Sequence, residues 1–228
     1  MADRPDPLVE LLSGFGLTAL GEFLPDEGDR LPDIAPGNSA RRIVLAGNAG
    51  PEFWPVFVSS PENRDGRPDP LDRWSRRVGA ACAKELGGRV VFPFDGPPFP
   101  PFLGWAARTG RVHVSPISMA IHADFGLWHA YRFALLLPEP PTRNLIPKNT
   151  LSPCYDCPDQ PCLSACPVEA FDAGRYDVNA CVDHVRSPVG TACRSAGCAA
   201  RRACPFQKER VYEPIQASFH MNAFLRSR

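Results

Sequence analysis

Eight of the nine cysteines in this 228-residue chain fall in its last third. They run Cys154-x2-Cys157-x4-Cys162-x3-Cys166-Pro167, then Cys181, Cys193, Cys198 and Cys204-Pro205. What such a set can do depends on the compartment. The N-terminal stretch MADRPDPLVELL carries acidic residues and no long apolar run, so it does not read as a secretory signal. No stretch approaches the roughly 20 consecutive apolar residues of a membrane span. The expectation is a cytoplasmic chain, and in a reducing compartment dense cysteines read as metal ligands rather than disulfides.

Eight thiolates make two sets of four, and four hold one cubane iron–sulfur cluster. Iron in such clusters takes soft, deprotonated sulfur. Cys166 and Cys204 each precede a proline. In bacterial two-cluster ferredoxins, the cysteine before the proline ligates the cluster not bound by its sequence neighbours. Similarity to that pattern implies two [4Fe-4S] clusters. Cys154, Cys157, Cys162 and Cys204 would hold one; Cys166, Cys181, Cys193 and Cys198 would hold the other. The spacing departs from the bacterial pattern in the four residues between Cys157 and Cys162, and in the long interval from Cys181 to Cys193. Both departures read as loop insertions. One cluster alone, or two four-cysteine zinc sites, are the alternatives, although only one C-x2-C pair is present for zinc.

Charge is balanced, 25 Lys+Arg against 25 Asp+Glu. That removes the electrostatic argument for nucleic acid or an anionic membrane as partner. The 27 prolines imply many turns and limit regular structure.

Leu8, Leu11, Leu12 and Phe15 follow helical spacing and predict a helix over 7–16, ended near Gly16. Residues 24–41 read as loop. Ile43 to Gly47 and Val90 to Phe92 read as buried strands. A helix is predicted from Pro70 to Leu86, with Asp69 as cap and Leu71, Trp74, Val78 and Cys82 on its apolar face. Cys82 on that face reads as core. Pro93 to Pro101 is excluded from helix and central strand. Phe102 to Arg108 is a short helix candidate. Ile117 to Ile121 and Tyr131 to Leu137 read as two strands joined through Ala123–Gly126. Pro138 to Pro153 reads as a linker, and Gln207 to Arg228 carries no clear signal. The fold class expected is α+β, as two domains: 1–145 and 146–228.

The N-terminal residues carry a resemblance. Asp69-Pro70-Leu71-Asp72, followed by an amphipathic helix, resembles a segment of the cobalamin-processing proteins of the CblC type. The run Ile117 to Trp128 is similar to that family's apolar strand leading into His-x-x-Phe-Gly-x-Trp. Leu136-Leu137-Pro138 resembles the end of its next strand. The same region resembles epoxyqueuosine reductase and the reductive dehalogenases, where a glycine-bearing segment (here Ala106 to Gly110), a strand and a Gly-x-Trp turn lead into a two-cluster ferredoxin. These resemblances imply a nitroreductase-like, cobalamin-binding domain followed by a small ferredoxin-like domain. The chain lacks the Tyr–Asp–His segment of epoxyqueuosine reductase and shows neither a helical-repeat extension nor a twin-arginine leader. A CblC-like domain fused to its own electron supply is the expectation.

On that resemblance, Ser115, Ser118, His122, Phe125, Gly126 and Trp128 are the candidate corrin contacts. The bland readings are solvated serines, a backbone-bonded histidine and core aromatics. Gly126 reads as a position needing a conformation or close approach that a side chain blocks. Arg132 is a candidate for a phosphate or carboxylate, or for a surface ion pair; His113, His129, His184 and His220 read as structural or exposed.

The function these expectations compose is an oxidoreductase in which the clusters pass electrons to the cobalt of a bound corrinoid, for upper-ligand removal or reactivation. Its partners would be the corrinoid and an electron donor such as a flavoprotein or ferredoxin; a homodimer is a further expectation. Three alternatives stand beside it. One is an electron-transfer adaptor without corrinoid. Another is a cobalamin-dependent reductase of a modified nucleobase or organohalide, with Tyr131 or Asp124 as proton source. The last is a domain that binds flavin mononucleotide (FMN).

Overall fold

In the computed structural model, which describes residues 6–29, 31–141, 150–172 and 174–228, the apolar run at Ile43 becomes the strand Arg42–Ala49. Ile43, Val44, Leu45 and Ala46 are fully buried in it. Side chains alternate between the two faces of a strand, so a run buried at every position is covered on both. Thr18–Phe23 pairs antiparallel to it, with a register shift between Ala19 and Gly21. The sheet continues through His129–Leu137 to Arg89–Val91. That last strand pairs antiparallel with residues 134–136. A Cβ at Gly47 would run into the Ala130 carbonyl, so the close approach of the two backbones needs glycine there.

Helices supply the rest of this unit's core. Pro70–Glu85 buries Leu71, Trp74, Val78 and Cys82, the face its spacing predicts. Asp69 precedes it with φ +51 and makes no side-chain cap bond, so the expected carboxylate cap is replaced by proline in the first turn. Trp74 packs against Phe53 and Phe57, with ring centroids 5.9 Å away in both cases. Pro7–Ser13 begins at Asp6, whose carboxylate accepts from the Leu8 amide. Phe102–Arg108 is helical as read.

Contacts divide the chain into two units. The first holds the described residues of Met1–Arg111 and Ala130–Asn149; the second holds Val112–His129 and the described residues of Thr150–Arg228. The boundary expected at 145/146 lies outside the described residues, as does most of the expected linker. Val112–His129, read from sequence as part of the N-terminal domain, groups with the cysteine-bearing segment instead.

Within the second unit, the strand expected over Ile117–Ile121 is shorter than read. Only Ala120–His122 is a strand, paired antiparallel with Val112–Val114. The cause is local. Ser118 has φ +56, and its amide bonds the Ser115 carbonyl, so 115–118 closes a turn. His129–Leu137 joins the four-stranded sheet. The cysteine-bearing segment folds as short helices around a two-stranded hairpin, Phe171–Asp172 with Arg175–Tyr176. The tail, silent in sequence, forms the helix Pro214–Arg226, which packs on Thr191–Ala196. The described residues are α+β with small sheets. None of their helices is long and apolar enough to cross a membrane.

Candidate functional site

The eight C-terminal cysteines all lie in the second unit. Cys154, Cys157, Cys162 and Cys204 line one cavity of about 250 Å³. Cys154 and Cys157 come from turns after Ser152, and Cys162 sits in the first turn of Pro161–Ser164. Cys204 follows the helix Ala199–Arg202, which packs on Pro161–Ser164. Burial raises the Cys154, Cys162 and Cys204 thiols above the usual range, and their neighbours in the set raise them further. Lys208 and the Phe206 amide act in the opposite sense on Cys204.

The second set shows the same mutual influence. Cys181 is pushed up by burial and then by Cys166 and Cys193. Cys198 is pushed up by burial and then by Cys181 and Cys193. Cys181 and Cys193 come from separate helices, Val178–Arg186 and Thr191–Ala196, which pack together. That packing spans the long sequence interval between the two cysteines.

A bound iron would take such thiols as thiolates. Their soft sulfur suits iron–sulfur chemistry. The cavity walls are apolar, built from Pro116, Ile117, Ile121, Leu127 and Phe206. Among the described residues no group of three or more His, Cys, Asp or Glu is arranged to hold a single metal ion. The first set borders a cavity rather than converging on a point. Both cysteine sets share one apolar cluster, in which Cys154, Cys162, Cys204, Cys166 and Cys198 pack with Ile117, Ile121, Leu127 and Ala200.

The candidate corrin contacts lie in this same unit. Ser115 lines the cysteine cavity, and its hydroxyl accepts from the Met119 amide. Ser118 donates to the Gly174 carbonyl at 2.7 Å. His122 is 1% exposed; its Nδ1 accepts from the Asp124 amide at 3.0 Å. Its ring lies 4.7 Å from Phe125 and 5.5 Å from His129. Burial, and then the neighbouring His122, lower the His129 pKa to about 4, and its Nδ1 lies 3.0 Å from the Gly126 carbonyl. Phe125 lies under the Arg210 guanidinium at 5.1 Å. Gly126 has φ +58, and a Cβ there would meet Phe206 and Gln207 at 3.2 Å.

Trp128 is 2% exposed. Tyr212 meets it edge-on at 5.5 Å, and Arg201 lies 4.5 Å over its ring. Trp128 and His122 are enclosed, and Ser115 lines the cysteine cavity. The segment acts as a wall of the first cysteine cavity. Sequence reading missed that role, because it depends on contacts with residues 154–206.

Of the remaining candidates, His113 lies 3.2 Å from the Thr150 hydroxyl. Arg132 donates to Asn48 at 3.0 Å and lies 5.5 Å from the Phe53 ring. Tyr131 is held protonated by burial, and Asp124 sits 3.8 Å from His122.

No family model, curated protein or solved structure matched the chain.

Proposed function

We propose that this protein is an iron–sulfur electron carrier holding two [4Fe-4S] clusters, one on Cys154, Cys157, Cys162 and Cys204 and one on Cys166, Cys181, Cys193 and Cys198. The observation that supports this reading is that four of the eight cysteines spread over 51 positions of sequence, Cys154, Cys157, Cys162 and Cys204, line one apolar cavity. When bound, such clusters supply one-electron chemistry at potentials set by hydrogen bonding and solvent. The chain's own residues hold the sulfurs, exclude water with Ile117, Ile121 and Leu127, and keep the two sites in one apolar cluster.

The acceptor proposed is a corrinoid, with residues 1–145 as a nitroreductase-like domain. This rests on the sequence resemblance alone, and the protein would then be a cobalamin reductase. A second reading, electron relay to a separate redox enzyme, is favoured by the burial of His122 and Trp128. Anaerobic titration of reconstituted protein with hydroxocobalamin decides between them. A base-off shift and cobalt reduction by the dithionite-reduced protein are expected if the acceptor is a corrinoid. An unchanged corrinoid spectrum at excess leaves the relay.

A further inference from the structure

Three large apolar side chains stand exposed beside the first cysteine cavity: Val114 at 80%, Leu151 at 75% and Tyr155 at 77%. Each is close in the chain to residues that line the cavity. Val114 precedes Ser115, Leu151 lies just before Pro153, and Tyr155 sits between Cys154 and Asp156. All three belong to the second unit, and its hydrogen bonds hold their segments together. His113 meets the Thr150 hydroxyl at 3.2 Å, which sets the strand Val112–Val114 beside the start of the cysteine loop. The Tyr155 amide donates to the Ser152 carbonyl at 2.9 Å, and the Cys154 amide donates to the Ser152 hydroxyl at 3.2 Å. That turn closes the loop between Leu151 and Tyr155.

Burying apolar surface is favourable, so exposed apolar side chains grouped within a polar rim mark a contact surface. The rim here is acidic. Asp156 and Asp159 are exposed, and neither has an ion pair or a side-chain hydrogen bond among the described residues. From Thr150 to Gly174 the chain has four acidic residues and no Lys or Arg. On the Cys204 side of the cavity, Lys208 is followed by Glu209, so those two charges offset each other.

The sulfurs come nearest to solvent at the same place. Cys154 and Cys157 are partly exposed, whereas Cys162 and Cys204 are buried. Electron tunnelling falls off steeply with distance, so a redox partner has to seat where the cysteine loop meets solvent. Electron-transfer encounters use small, transient interfaces, built as an apolar centre with a polar rim. An acidic rim speeds encounter with a basic face and leaves a salt-dependent rate.

We propose that Val114, Leu151 and Tyr155, rimmed by Asp156 and Asp159, are the docking surface for the protein's electron donor, a redox protein whose own face sets Lys or Arg around an apolar centre. This inference rests on the iron–sulfur reading and holds for either acceptor. The step is the passage of one electron: the donor is oxidised by one, the cluster on the Cys154 loop is reduced by one, and no proton moves.

The test uses cytochrome c as the probe, a haem protein with lysines around its apolar haem edge. Reconstituted protein is reduced with dithionite, freed of the excess and mixed with ferric cytochrome c by anaerobic stopped flow. Each haem iron takes one electron from the clusters. The second-order rate is expected to fall as ionic strength rises. An Asp156→Asn, Asp159→Asn variant should be about tenfold slower at low salt and equal to wild type at high salt. An Asp183→Asn, Glu213→Gln variant makes the same change in net charge at exposed positions elsewhere and should keep the wild-type rate. Tyr155→Ser should slow the reaction at every salt concentration, and Val189→Ser, at an equally exposed position, should not. A wild-type rate indifferent to salt, or equal slowing by the two charge variants, overturns the inference while iron and sulfide stay in place. So does a wild-type dimer that Leu151→Ser or Tyr155→Ser dissociates in sedimentation, since the patch would then be covered by a second copy. Protein that takes up no iron and sulfide overturns the inference and the iron–sulfur reading together.

Discussion

The Arg201 guanidinium lies 4.5 Å over the Trp128 ring. It also lies 4.5 Å from the Tyr212 ring, and its Nε donates to the Leu127 carbonyl at 3.1 Å. One side chain therefore ties the helix leading to Cys204, the wall of the first cysteine cavity and the C-terminal tail. Arg201→Ala is expected to destabilise the second unit by about 2 kcal/mol, from the lost cation–π contact and an unpaired carbonyl. Arg201→Lys should recover only part, because a point charge does not reproduce the planar fork. Urea unfolding followed by near-ultraviolet circular dichroism measures both; an unchanged midpoint in Arg201→Ala contradicts the tie.

Gly126 combines φ +58 with close neighbours on two sides. Gly126→Ala is expected to cost about 1–2 kcal/mol from backbone conformation, with the 3.2 Å contacts adding to it. Gly126→Val should be worse, since a β-branched residue tolerates this region least. Thermal unfolding of the two variants checks the ranking, and equal stability of Gly126→Val and wild type speaks against the conformation.

The pairing of cysteines gives a prediction by subtraction. Cys204→Ser and Cys154→Ser should each remove the same cluster and leave the other, as should Cys198→Ser and Cys181→Ser for the second. Iron in each single variant should fall to about half, because each cubane takes four thiolates. A Cys204→Ser, Cys154→Ser double variant should lose no more than either single one. Loss of all iron in the double variant would show that these cysteines belong to different sites.

Cys82 supplies a test of the first unit. It is fully buried, and burial pushes its thiol up to about 11 from an ordinary 9.0. The unfolded chain releases this proton near pH 9 and the folded chain near pH 11. The unfolded state is therefore favoured progressively between those values, and stability falls as pH rises through them. Cys82→Ala should be less stable than wild type at pH 7, through a small cavity, and should show a shallower fall from pH 9 to 11. Parallel curves for the two proteins would contradict the burial of this thiol.

The cysteine candidates stand out in the sequence because their spacing and the two Cys-Pro steps are local. The helix at Pro70 was legible because its apolar residues keep helical spacing along 16 residues. Thr18–Phe23 was not: TALGEF neither alternates nor clusters apolar residues, and its pairing with Arg42–Ala49 is what makes it a strand. Ile117–Ile121 reads as a continuous strand, yet a left-handed Ser118 cuts it to three residues. The C-terminal helix has apolar residues on more than one face and buries Gln216 and Ala217, so its spacing gave no signal. The placement of Val112–His129 with the cysteines depends on contacts far along the chain.

The most direct test of the account is the iron and acid-labile sulfide content of anaerobically reconstituted protein, with Mössbauer spectra of the oxidised form. The account predicts about eight irons and eight sulfides per chain, all in cubane environments. Four irons per chain, or stoichiometric zinc with no sulfide, would contradict it.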